Sequence, residues 1–301
     1  MPGRKAISEE DLVDLKGKVA IVTGGNTGVG YATIQMLARK GAKVYMAARN
    51  EGKATEAIKQ LQAEGISDVH WLNLDLSDPR RAQSAGKEFL EKEKRLDILV
   101  NNAAIGAVGP YKLNKDGLLD IMVTNHISHF VLTETVLPLM KTTAKETGSD
   151  VRIVNVTSIA HDRVKPESYT SKEALNKDYG ESFGGYLDTY GNSKLANILH
   201  IKELQRRLNS ESISITCIAT HPGAIKTNVL GPLFFAPWRK GAMTVGFGAA
   251  GKEVKEQSET YQGAYLAPIA AITTPSKYAL DERLAKELHE TTENIVKELG
   301  L

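Results

Sequence analysis

The 301-residue chain holds one cysteine, Cys217, so no disulfide forms within it. A lone thiol in the apolar run SISITCIAT (212–220) reads as a small buried core residue in a reducing compartment, which points to the cytoplasm. An excess of charge of one sign is missing as well. A net charge of +2 leaves no footprint for nucleic acid and none for an acidic surface. No stretch approaches the roughly 20 apolar residues of a membrane span. The opening MPGRKAISEEDLVDLKGK has no apolar run of signal-peptide length. The apolar patch GPLFFAPW (231–238) is far too short to span. Repeats, low-complexity tracts and Ser/Gly/Pro-rich linkers are absent too, so one domain over residues 1–301 is expected.

What is present is a rhythm. KVAIVT (18–23) is a continuous apolar run, followed by a glycine-rich turn and by YATIQMLARK with apolar residues at helical spacing. KVYMAAR (43–49), DVHWLNL (68–74), DILVNNA (97–103), VRIVNVTS (151–158) and SISITCIAT repeat the strand pattern. Helical patterns fall between them, over 51–65, 78–95, about 116–141 and about 186–209. Alternation of apolar strands with amphipathic helices predicts a doubly wound α/β fold of Rossmann type, a parallel sheet covered on both faces. GAYLAPIA (263–270) reads as a last strand, and DERLAKELHETTENIVKEL as a terminal amphipathic helix. Two segments break the rhythm. Residues 161–185 are polar and read as a surface insertion, and 224–262 read as a loop-rich, small substrate-binding lobe.

The first strand runs into TGGNTGVG (23–30) and then into a helix. Glycines at such a turn let the backbone approach a pyrophosphate, and the helix N-terminus offers N–H donors and a favourable dipole. A second strand ending about 20 residues on is the required context. Its end carries Ala47, Ala48, Arg49 and Asn50, without the carboxylate that would hold a ribose 2′-hydroxyl. Arg49 suits a 2′-phosphate, so the expected cofactor is NADP(H).

Thr23–Gly24–x–x–x–Gly28–x–Gly30, the Asn101–Asn102–Ala103–Ala104 stretch, Asn125 in VTNHISHF, Ser158 in VNVTSIA, the Tyr190/Lys194 pair of YGNSK and Pro222–Gly223 occur in this order. Together they resemble the short-chain dehydrogenases/reductases over about residues 17–227, and the retinol-dehydrogenase-like branch with its fungal relatives in particular. The resemblance implies that Tyr190 is the acid for carbonyl reduction and the base for alcohol oxidation. It implies that Lys194 holds the nicotinamide ribose and, as an ammonium one helical turn from the phenol, favours phenolate. Ser158 would hydrogen-bond the substrate oxygen, and Asn125 would hold a water linking Lys194 to solvent. The implied cofactor contacts are Gly24, Asn26, Thr27, Gly28, Val29 and Gly30 in the loop, and Asp75 and Leu76 after the third strand. Further along they are Asn102 and Ala103, and then Pro222, Gly223, Ile225 and Thr227.

Two departures stand out. The interval from Ser158 to Tyr190 is longer than is common in the family, and MTVGFGAAGKEVKEQSE is glycine-rich and poorly patterned for a helix before the last strand. GPLFFAPW and the apolar lobe favour a lipophilic aldehyde, ketone or alcohol as substrate. A non-catalytic NADP(H)-binding regulator is the alternative, and it would sit better with an altered Ser158, Tyr190 or Lys194. A sugar-nucleotide epimerase would need a larger C-terminal domain. No G-x-S-x-G supports a hydrolase. His126 and His129 have no third ligand nearby, so no metal is expected. Substrate, physiological direction and any homo-oligomer stay open.

Overall fold

The computed structural model describes residues 7–106, 111–223 and 238–301. Among these, eight strands form one sheet in the order β3-β2-β1-β4-β5-β6-β7-β8. They are β1 (Val19–Thr23), β2 (Lys43–Ala48), β3 (Val69–Asn73), β4 (Ile98–Asn101), β5 (Val151–Val156), β6 (Ile215–Thr220), β7 (Tyr265–Ala267) and β8 (Ala271–Ile272). All pairings are parallel except β7 with β8. β1, β5 and β6 are buried along their whole length, as continuous apolar runs require. β3, at the sheet edge, buries Val69 and Leu72 and exposes His70 and Asn73.

The helices are α1 (Gly28–Arg39), α2 (Glu51–Ala63), α3 (Pro79–Lys92), α4 (Asp120–Met122), α5 (Ser128–Ala144), α6 (Lys172–Leu175), α7 (Phe183–Ser210), α8 (Trp238–Ala250), α9 (Lys252–Glu256), α10 (Ser258–Tyr261) and α11 (Glu282–Glu298). A π-helical segment, Val123–Ile127, joins α4 to α5. One face of the sheet packs on α3, α5, α7 and α11 through residues such as Phe89, Leu132, Leu199 and Leu288. The other packs on α1, α2 and α8 through Ile34, Leu61 and Val245. None of the described helices is long and apolar enough to cross a membrane.

The strand order runs outward in opposite directions from β1 and β4. A crevice therefore opens at the carboxyl ends of these two strands, where doubly wound sheets bind ligands.

Residues 238–261 are helical rather than loop-rich, and α8 is a well-formed helix despite its glycines. The reason is close packing. A Cβ at Gly248 would lie 3.0 Å from Thr220 Cγ2 of β6. Tertiary contact outweighs the glycine penalty of about 1 kcal/mol per residue. Arg152, fully buried at the start of β5, completes the anchor. It pairs with Asp150 and donates to the carbonyls of Gly248 (3.3 Å) and Gly251 (2.9 Å) at the end of α8. Residues 224–237, including most of GPLFFAPW, lie outside the described residues.

The segment 161–185 is exposed at many positions, 180–183 among them, but pinned at others. Tyr169 and Leu175 are wholly buried, and Asn176 donates to Gly117 O and accepts from Leu119 N.

Candidate active site

Thr23, the last residue of β1, organises the crevice. Its Oγ1 accepts from the main-chain N–H of Asn102 and of Ala103, both at 2.9 Å. With both lone pairs used, its hydrogen goes to His129 Nε2 at 2.8 Å. His129 therefore carries its own hydrogen on Nδ1 and donates to Asn125 O at 3.3 Å. Burial pushes the His129 pKa down to about 3, so the ring stays uncharged. This chain of contacts ties the ends of β1 and β4 to the π segment that carries Asn125.

The glycine loop is closed on one side and open on the other. A Cβ at Gly30 would lie 2.5 Å from Gly24 O and 2.6 Å from Asn102 Nδ2, whereas one at Gly28 would meet nothing within 4 Å. Gly24 and Gly28 both have positive φ, +65° and +59°. Thr27 is the N-cap of α1 but makes no side-chain capping bond. The first-turn N–H groups of α1 thus stay available to an anion, the arrangement a pyrophosphate fits. Val29 is buried and Asn26 partly exposed.

At the end of β2, Arg49 is exposed and forms no ion pair among the described residues. Asp75 is already engaged. It accepts from Ser77 N and Oγ and pairs with Arg81 at 2.9 Å. Against the desolvation of its partly buried carboxyl, these bonds and the charges of Arg49 and Arg81 hold it below the usual carboxylate range. Leu76 is buried, and its carbonyl accepts from Ser128 Oγ.

Each residue of YGNSK has a partner that explains its type. A Cβ at Gly191 would come within 2.4 Å of Ala160 O, so glycine lets α7 press on the turn that follows Ser158. Asn192 Oδ1 accepts from the Tyr169 hydroxyl of the long segment before α7. Ser193 Oγ donates to Tyr190 O and accepts from Asn125 Nδ2 at 3.0 Å. Lys194 is 1% exposed, and its Nζ donates to Val156 O at 3.1 Å. Tyr190 is partly exposed, and the Ser158 hydroxyl acts on its phenol.

The structure corrects one expectation about this pair. Desolvation pushes the Tyr190 phenol up to about 12, with the Ser158 hydrogen bond pulling the other way. Desolvation also brings Lys194 down to about 7. A buried amine that sheds its own charge this easily does not hold the phenol down.

The Asn125 amide is spent on the backbone of Ile105 in both directions and on Ser193. Its main-chain carbonyl, in the π segment, is the group with acceptor capacity to spare. Pro222 is partly exposed, and Gly223 follows with φ +89°. Ile225 and Thr227 lie outside the described residues. His126 and His129 turn to different partners, Thr292 and Thr23. Among the described residues no group of three or more His, Cys, Asp or Glu side chains converges as metal ligands.

Residues 18–177 match the family model described as short chain dehydrogenase. The chain is 43% identical to a short-chain dehydrogenase/reductase of Armillaria gallica over 96% of each sequence. Its fold superposes on the crystal structure of an uncharacterized protein from Mycobacterium Paratuberculosis with a TM-score of 0.75, at 29% identity, over 97% of this chain and 98% of that one. It is also similar to a blue fluorescent protein from a metagenomic library in complex with NADPH, with a TM-score of 0.64 and 27% identity over 84% and 97% of the two chains.

Proposed function

The chain belongs to the short-chain dehydrogenase family of oxidoreductases, and from that premise we propose that it is an NADP(H)-dependent enzyme interconverting a lipophilic carbonyl compound and its alcohol. The observation that carries the proposal is the convergence of Ser158, just past the end of β5, with Tyr190 and Lys194 of α7. A regulator without catalytic function would have no need of a buried lysine behind a desolvated phenol.

The open face of Gly28 and the uncapped start of α1 suit the pyrophosphate, and Arg49 suits a 2′-phosphate. When bound, the nicotinamide supplies or accepts the hydride. The remaining work falls to the chain. Tyr190, protonated at neutral pH because its pKa is about 12, gives its proton to the carbonyl oxygen. The Ser158 hydroxyl steadies the charge that develops there. Lys194, with a pKa of about 7, exchanges protons near neutrality and can reprotonate the phenol through a water held by the Asn125 carbonyl.

The loop ends around the crevice support a lipophilic substrate. Ile105 after β4, Ile159 beside Ser158, Phe183 at the start of α7 and Ile269 after β7 are among the exposed large apolar side chains. The helices within 238–261 form the described part of the substrate lobe in this reading. An NADPH-oxidation screen over aldehydes, ketones and quinones tests the proposal. Turnover of apolar carbonyls with NADPH preferred over NADH is expected. No turnover of any of them with either cofactor would overturn it.

A further inference from the structure

His161 lies outside the residues so far given a catalytic role, yet it is 1% exposed and touches Ser158 directly. The carbonyl of Ser158 accepts twice from this one residue, from the main-chain N at 3.1 Å and from ring Nδ1 at 2.7 Å. Nδ1 therefore carries a hydrogen. Nε2 accepts from the main-chain N–H of Ser276 at 3.2 Å, in the segment between β8 and the 3₁₀ turn Lys277–Leu280. Asp162 stands 3.1 Å from the same nitrogen, but a nitrogen that accepts from Ser276 has no hydrogen to give it. Tyr265 of β7 packs edge-on against the ring at 5.2 Å.

We propose, resting on the dehydrogenase reading, that His161 is a positioning residue for Ser158. It fixes the peptide plane from which the serine hydroxyl projects, and it joins that strand end to the C-terminal segment at Ser276. The Ser158 hydroxyl in turn lowers the Tyr190 phenol pKa, so misplacing Ser158 has a signature beyond lost activity.

Four variants separate the two contacts. His161→Asn keeps an N–H near the Nδ1 position and loses the Ser276 contact. His161→Gln reaches the Nε2 position and loses the donor to Ser158. Ser276→Pro removes the N–H at a φ of −55°, which proline accepts, and Ser276→Ala controls for the lost cap. His161→Gln should lower turnover by about 10²-fold, the order expected of a misplaced catalytic group. Its NADPH affinity should be unchanged, and its pH profile for alcohol oxidation should move upward as that of Ser158→Ala does. His161→Asn should keep the wild-type profile. Nitrogen-15 NMR of labelled histidine should find the His161 hydrogen on Nδ1 in wild type and in Ser276→Ala, with the other tautomer emerging in Ser276→Pro. The proposal fails if the wild-type hydrogen is on Nε2. It fails also if His161→Gln keeps the wild-type profile, or if both His161 variants lose activity and melting temperature alike. Should no carbonyl compound be turned over, the dehydrogenase reading falls, and the tautomer still decides the placement of His161.

Discussion

The Lys194 ammonium nitrogen lies 5.4 Å from the centre of the Tyr190 ring, one turn further along α7. Burial separates their pKa values to about 7 and about 12, so at neutral pH the phenol is a full acid and the amine is half charged. Tyr190→Phe keeps the ring and removes the proton. Turnover should fall by roughly the 10²–10⁴-fold of general acid–base catalysis. NADPH binding, measured by fluorescence titration, should survive. A Tyr190→Phe enzyme as active as wild type would remove the phenol from the mechanism.

The lysine predicts a pH limb of its own. Reduction consumes a proton, and Lys194 holds one to give only below its pKa of about 7. Turnover in carbonyl reduction should therefore decline as pH rises through 7, while the phenol stays protonated well beyond. Lys194→Ala should be slower throughout and flat across this range. The same limb in both enzymes would assign it to another group.

Arg49 should make NADPH bind more tightly than NADH. It is exposed at the end of β2 with no ion pair among the described residues to give up. Arg49→Asp should cost NADPH about 1.5–3 kcal/mol of binding, the worth of a charged hydrogen bond. Titration of both cofactors by isothermal calorimetry decides the point, and equal affinities in wild type would sink the assignment.

Strands such as β1 and β6 were legible because a parallel strand buried on both faces must be apolar throughout, and VAIVT or ITCIAT cannot be much else. The glycine loop and YGNSK were legible because their spacing carries their chemistry. α8 was not, since the glycine at 248 is set by its packing against Thr220, far away in the chain. β8 has two residues, too few for any periodicity. The hydrogen-bonding roles of Thr23, His129 and His161 were not legible for a similar reason. Their roles depend on which atoms meet across 106 or 115 positions, as for Thr23 with His129 and His161 with Ser276.

Gly191 and Gly246 should respond oppositely to alanine. At Gly191 the new Cβ would meet a backbone oxygen, Ala160 O, at 2.4 Å, and the turn after Ser158 would have to move. Gly191→Ala should cost about 1–3 kcal/mol of stability and about 10²-fold in turnover. At Gly246 the obstacle is Met36 Cε, the end of a flexible side chain. There a gain of up to about 1 kcal/mol in helix propensity should leave stability unchanged or improved. Thermal melts and kinetics on the two variants check both halves.

Acid should unfold the protein through its buried histidines. His126 of the π segment, His200 of α7 and His289 of α11 surround Phe130, with ring centres 5.8 Å apart for His126–His200 and 6.4 Å for His200–His289. Desolvation, with repulsion from His289 added for His126 and from His126 and His289 for His200, brings His126 to about 3 and His289 to about 4, and holds His200 well below its ordinary value. Arg207, Glu203 and Glu293 act on His289 from outside the cluster. A histidine whose folded pKa is depressed binds its proton first in the unfolded chain. The stability it contributes is complete above about pH 6.5 and lost as pH falls toward 4, by up to about 1.4 kcal/mol per pH unit for each ring. Neither nitrogen of His200 has a hydrogen-bond partner among the described residues. His200→Leu should thus remove an unsatisfied polar group and one acid-sensitive site together. Urea denaturation across pH 4.5–8 should show a shallower acid limb in the variant, with its largest gain over wild type at the lowest pH. Parallel limbs in the two proteins would mean that other groups, not this cluster, govern acid unfolding.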